Sequence, residues 1–70
     1  MSYIIKVPAK YSTNLPVGEP DPKQPEIYEF EAEDEIAEPI IAEFRKAKIP
    51  FLYSHNGQSS TAVNDDKFHW

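Results

Sequence analysis

The sequence predicts a small α+β fold: an antiparallel sheet of three to four strands in ββαββ order, with one helix packed on one face. Three observations carry this reading. Residues 3–7 and 26–32 alternate apolar and polar side chains, the period of a strand with one wet face. Residues 36–47 repeat apolar side chains at helical spacing. His55-Asn56-Gly57-Gln58 sets Asn-Gly between two short β-prone runs, a hairpin signal because both central residues tolerate positive φ.

The chain has 70 residues, which suits one domain, 1–70, of modest stability, since a chain of this size buries only about 60% of its unfolded surface. Leu, Ile, Val and Phe supply 16 of the 70 residues, just above the roughly 20% below which a charged chain stays disordered. Cysteine is absent, which excludes disulfides and thiolate metal sites. The start, MSYIIKVPAKYS, has no basic segment followed by a long apolar run, and no run approaches the ~18 residues that span a bilayer. A cytoplasmic setting is the expectation, and for a phage-encoded chain the host cytoplasm. The net charge of −5 disfavours nucleic acid and anionic lipid as direct partners.

In the first strand Tyr3, Ile5 and Val7 share one face, with Ile4 and Lys6 on the other. Pro8 ends this strand or marks an edge, and Lys10 and Tyr11 extend it briefly. Residues 12–25 read STNLPVGEPDPKQP, with four prolines in fourteen residues. Such a stretch is neither a helix nor a central strand, so it is read as a proline-rich loop, either a stiff mobile connector or a binding loop.

Tyr28, Phe30 and Ala32 then face one side of the second strand, with Glu29 and Glu31 on the other. An antiparallel pairing with residues 3–7 follows. In the helix Ile36, Ile40, Ile41, Phe44 and Ala47 form the apolar stripe, and Asp34 is the candidate N-cap. Arg45, Lys46 and Lys48 gather at the end of the helix, where cations suit its dipole. Pro39 would delete a helical hydrogen bond, so the regular helix is expected to begin there, after a separate turn at 34–38. Ile49-Pro50 stops the helix. Residues 51–54 and 60–63 form the closing hairpin, and the tail 64–70 is either loose or pins an aromatic to the core.

Chemistry is sparse. His55 and His69, with Asp65 and Asp66, lack the spacing and framework of a structural metal site. Ser54, Ser59, Ser60 and Thr61 lie near His55, but Ser, Thr, Asn and Gly are ordinary hairpin residues, and no orienting third group or oxyanion donor pair is evident. The many carboxylates would serve as an acid–base pair only in a deep cleft, for which this chain has little room. Gly18 and Gly57 belong to no phosphate-cradling motif. The expectation is a non-enzymatic protein with no cofactor and no metal.

Binding remains. Seven of the thirteen residues from 26 to 38 are acidic, and eight of the twelve acidic residues fall between 26 and 43. A charge run is often only a solvated face. Like charges packed along one strand nevertheless cost stability, and a carboxylate row can imitate a phosphate backbone toward a basic groove. The candidate partner-binding residues are therefore Glu29, Glu31, Glu33, Asp34, Glu35 and Glu38, with Trp70 as an aromatic anchor. Tyr3, Tyr11, Tyr28 and Tyr53 divide between core margin and interface.

A compact acidic chain of this size without cysteine or catalytic motif resembles small phage-encoded inhibitors of host machinery, such as anti-CRISPR proteins and inhibitors of bacterial RNA polymerase. The likeness lies in size and charge, not in any motif. It implies a viral inhibitor that docks, as a nucleic-acid mimic, on a basic nucleic-acid-binding surface of a partner protein. The alternative is a structural or accessory subunit that interacts through a sheet edge and aromatic residues; a homodimer through the edge also fits so small a core.

Overall fold

The computed structural model describes residues 2–11, 18–65, 67, 68 and 70. Five strands form one antiparallel sheet: β1 (Ser2–Pro8), β2 (Glu19–Asp21), β3 (Gln24–Glu33), β4 (Leu52–His55) and β5 (Gln58–Ser59), in the order β2-β3-β1-β4-β5. One helix, α1 (Asp34–Ala47), joins β3 to β4 and packs on one face. The α+β class and the helix-on-sheet layout agree with the sequence.

β1 is the central strand. It pairs with β3 from Ser2↔Glu33 to Pro8↔Ile27, and with β4 from Tyr3↔His55 to Lys6↔Leu52. Pro8 is tolerated because it ends the strand, where a missing amide costs least. Residues 9–11 turn into a single 3₁₀ turn instead of extending the strand at Lys10 and Tyr11.

The extra strand is β2, inside the stretch read as a connector. Pro20 removes an amide, but β2 sits at the sheet edge, where one side of the backbone needs no partner. Residues 12–17 of the proline-rich loop lie outside the described residues. Gly18 is needed for close approach: a Cβ there would meet the Glu29 carbonyl oxygen at 2.2 Å.

The helix starts at Asp34 and runs through Pro39, contrary to the expected start at Pro39. Pro39 leaves the Glu35 carbonyl without its helical donor, yet both residues are exposed, so water can serve that carbonyl. Asp34 is not the cap. Glu33 holds the N-cap position in extended conformation, without a side-chain capping bond, and Asp34 and Glu35 occupy the first turn, where the dipole favours carboxylates. The helix ends with Lys48 in the left-handed region, its amide donating to Arg45 O and that of Ile49 to Phe44 O. This is a Schellman closure, with Pro50 just beyond it.

The buried stripe is Ala37, Ile41 and Phe44. Ile41 and Phe44 of the expected stripe are thus buried and Ile40 packs at the core margin, whereas Ile36 is 53% exposed, Ala47 is exposed, and Ala37 takes the inward place at the helix start. These helix residues close over Ile5, Val7, Phe30, Ala32 and Phe51. Phe51 packs against Phe44 and Tyr53, with ring centroids 5.5 and 5.9 Å away.

The β4–β5 hairpin has the expected two-residue turn. Asn56 and Gly57 both have positive φ, 55° and 82°, and His55 pairs with Gln58. The return strand is Gln58–Ser59, earlier than residues 60–63. Val63 makes a single bridge to Phe51 through reciprocal backbone bonds of 3.1 and 2.8 Å.

Candidate binding surface

The face of the sheet away from the helix carries Ile4, Lys6, Ile27, Glu29, Glu31 and Leu52, by strand alternation. Part of it is covered. Lys6 is 6% exposed; its Nζ lies 2.6 Å from Asp21 Oδ2, 3.9 Å from Glu29 Oε2, and 4.8 Å from the Trp70 ring centroid. Trp70 donates Nε1–H to Ser60 O at 2.8 Å, which fixes the indole over the lysine. Ile27 and Leu52 are buried on this side as well.

Asp21 is buried and doubly held, by Lys6 and by the Lys23 amide at 2.9 Å. The Lys6 hydrogen bond, and then the Lys23 amide, hold its carboxyl below the usual carboxylate value. This pairing explains β2: a lysine on the inner part of a strand needs a carboxylate, and Asp21 brings the proline-rich segment to it.

The rest of the face is open. Ile4 is 38% exposed, and beside it Gly18, Glu19, Glu29, Phe30 and Glu31 line an open groove of about 400 Å³. Glu19 and Glu29 are direct cross-strand partners in the β2–β3 ladder, a like-charge pair on one face. Glu31 accepts a hydrogen bond from Ser2 Oγ at 2.8 Å and otherwise faces solvent.

The candidate residues thus fall into two sectors. Glu29, Glu31 and Glu33 lie at alternate positions of β3, on the open face. Asp34, Glu35 and Glu38 lie on the first turns of the helix, around the corner from that row. Asp34 is engaged: its Oδ1 and Oδ2 lie 3.1 and 3.2 Å from His55 Nε2, tying the helix start to β4. Glu35 and Glu38 are exposed, Glu38 beside a shallow groove with Tyr3, Arg45 and Tyr53. Trp70 is half-buried against Lys6, away from the helix sector.

Ile4, Gly18 and Glu19 were not among the residues singled out from the sequence. Ile4 had a signal, since alternation already puts it on the face opposite Ile5. Glu19 had none, because it sits in a stretch whose prolines hide its strand.

His55 stacks on Tyr3, with centroids 4.2 Å apart and planes 15° from parallel. Burial, and then the nearby carboxylates of Glu38 and Asp34, raise the Tyr3 hydroxyl above its usual pKa, so this phenol stays neutral and polar. Ser60 Oγ accepts from the Tyr53 amide at 3.2 Å. Among the described residues no three His, Asp or Glu side chains are arranged to hold a metal ion; Asp66 and His69 lie outside them.

Both sheet edges are short. β2 has three residues including Pro20, and β5 has two, so neither edge strand is itself a long ladder, while β3 continues through residues 30–33 past its last β2 partner, Glu29. No helix among the described residues is long and apolar enough to cross a membrane. Comparison with protein-family models, curated proteins and solved structures gives no match. The fold and the open surface therefore define a class only: a small α+β domain that displays carboxylates on an uncovered sheet face.

Proposed function

We propose that this chain is a non-enzymatic binding protein that sets its acidic surface against a basic, nucleic-acid-binding surface of a partner protein and blocks it. The observation that carries this reading is the Glu19–Glu29 cross-strand pair, with Glu31 two residues along the same face. Five carboxylates, those of Glu19, Asp21, Glu29, Glu31 and Glu33, share this side of the sheet with one lysine, Lys6, which lies 2.6 Å from Asp21 and 3.9 Å from Glu29. Like charges opposed across a ladder destabilise a fold, and a domain this small has little stability to lose. A basic partner surface would turn that repulsion into attraction.

Around the corner Glu35 and Glu38 extend the negative field along the helix start. Such a field speeds encounter with a Lys- and Arg-lined groove and keeps nucleic acid away from it, and salt screens the effect. Inhibition follows by occupancy, with no chemical step. The two edge strands, one carrying Pro20, are too short to dock a partner by strand addition on their own.

The test is affinity capture from the native cell or host at low and high salt, using wild type and Glu31→Lys/Glu35→Lys side by side. A nucleic-acid-binding protein retained at low salt, released at high salt and missed by the variant is the expected result. A partner held equally well by both proteins at high salt overturns the reading.

A further inference from the structure

The open half of the sheet face offers more than charge, and we propose that it accepts an extended, basic polypeptide segment whose cationic side chains recur at alternate positions and run alongside Ile4. This inference rests on the acidic-surface reading above and names the form its ligand takes. Ile4 is 38% exposed at the N-terminal part of the central strand, with Glu31 as its direct β3 partner and Glu29 two residues along. Two residues of a strand span ~7 Å, so Glu29 and Glu31 set carboxylates at the same period as alternate side chains of an extended chain. A helical segment brings side chains to one face every three or four residues, a shorter step of ~4.5–6 Å.

Both carboxylates are pre-aimed. Ser2 Oγ holds Glu31 at 2.8 Å, and Lys6 lies 3.9 Å from Glu29, so little side-chain freedom is lost on binding. Ile4 suits the methylene stems of Arg or Lys, whose heads then reach the two carboxylates on its β3 side. Arg fits better, because its planar fork can take a carboxylate with two parallel hydrogen bonds. On the far flank of Ile4, Ser2, Ser54, Asn56 and Gly57 line a second shallow groove with polar, uncharged walls. A second copy of this chain is a poor occupant, since it brings the same carboxylates to the same place. Nucleic acid and anionic membranes are repelled for the same reason.

The experiment is an NMR titration of the ¹⁵N-labelled protein with two capped pentapeptides of equal charge and composition. One alternates Arg and Leu; the other has its three arginines in a block. The alternating peptide should shift the amides of Ile4, Gly18, Glu29 and Glu31 and bind about fivefold or more tightly than the block isomer. Ile4→Ser, at a half-open position that leaves the helix-side core untouched, should remove most of that preference. Equal affinity for the two isomers, with shifts spread over the whole acidic surface, overturns this inference while leaving the acidic-surface reading intact. Shifts confined to residues 33–38, or no shifts at all, also overturn it, and the cell-capture experiment then judges the broader reading independently.

Discussion

The two faces of the sheet are built on opposite rules. The helix side is apolar throughout: Ile5, Val7, Phe30, Ala32 and Phe51 meet Ala37, Ile41 and Phe44, with tyrosines at the margin. The other side carries a lysine, an aspartate and a row of glutamates, with Ile27 and Leu52 buried towards one end and Trp70 lying over Lys6. Burial of apolar area suffices to explain the first face. On the second face, Lys6 pairs with Asp21 and lies 3.9 Å from Glu29, while Glu19, directly across from Glu29, meets a like charge. The main apolar core thus lies on one face, and the clustered carboxylates lie on the other.

The largest expected effect breaks the apolar face. Phe51→Ala should cost about 3–5 kcal/mol in urea denaturation. A domain of this length holds on the order of 4–10 kcal/mol in total, so the variant should be partly or wholly unfolded. A loss under ~1 kcal/mol, well below the usual cost of such a truncation, would mean that the helix does not close on Phe51 as described.

The next variant addresses the charged face. Asp21→Asn leaves Lys6 buried with only the more distant Glu29, and should lower the melting temperature at neutral pH. Its pH dependence has a definite sign. Because the folded pKa of Asp21 lies below the usual 3.8, the unfolded chain binds a proton first as the pH falls. The stabilisation is therefore complete above the unfolded pKa and is lost as the pH drops through the folded value. Melting curves of wild type and Asp21→Asn should converge as the pH falls below ~4. A gap that persists undiminished into stronger acid would remove the Lys6–Asp21 pair as its cause.

Trp70→Ala sharpens the comparison further. An interface anchor would change binding alone, whereas an indole seated on Lys6 and bonded to Ser60 O should also cost about 1–3 kcal/mol of stability. Thermal melting at fixed salt separates the two roles. The smallest effect belongs to the exposed side of the helix. Ile36→Gln should change stability by no more than ~0.5 kcal/mol, because the buried stripe runs through Ala37 and not Ile36. A loss of ~2 kcal/mol there, the scale of a core truncation, would restore the stripe read from the sequence.

Much of the helix side was legible in the sequence. Alternation set Tyr3, Ile5 and Val7 against Ile4 and Lys6, and Asn56-Gly57 fixed a hairpin whose turn carries two positive φ angles. The helix was legible in kind and through Ile40, Ile41 and Phe44, but not at the two ends of its stripe. Ile36 and Ala37 are neighbours, and hydrophobicity alone favours the larger one, while close packing against the sheet selects Ala37 at 0% exposure. Pro39 misled because its cost falls on a solvent-facing turn. The charged face was the less legible one. The strand at Glu19–Asp21 depends on Lys6 finding Asp21 fifteen residues away, and no local periodicity records a long-range ion pair. For the same reason the acidic run looked like one band along the chain, whereas the fold divides it between a strand face and a helix start.

The most direct test joins folding and recognition in one variant, Glu19→Lys/Glu31→Lys. Both side chains are exposed, and the first substitution sets a cation opposite Glu29, replacing repulsion by attraction. If the carboxylates are retained for a basic partner, the melting temperature should hold or rise while affinity for the captured partner falls more than about tenfold at low salt. An unchanged affinity in a folded variant would contradict the assignment of recognition to the open face.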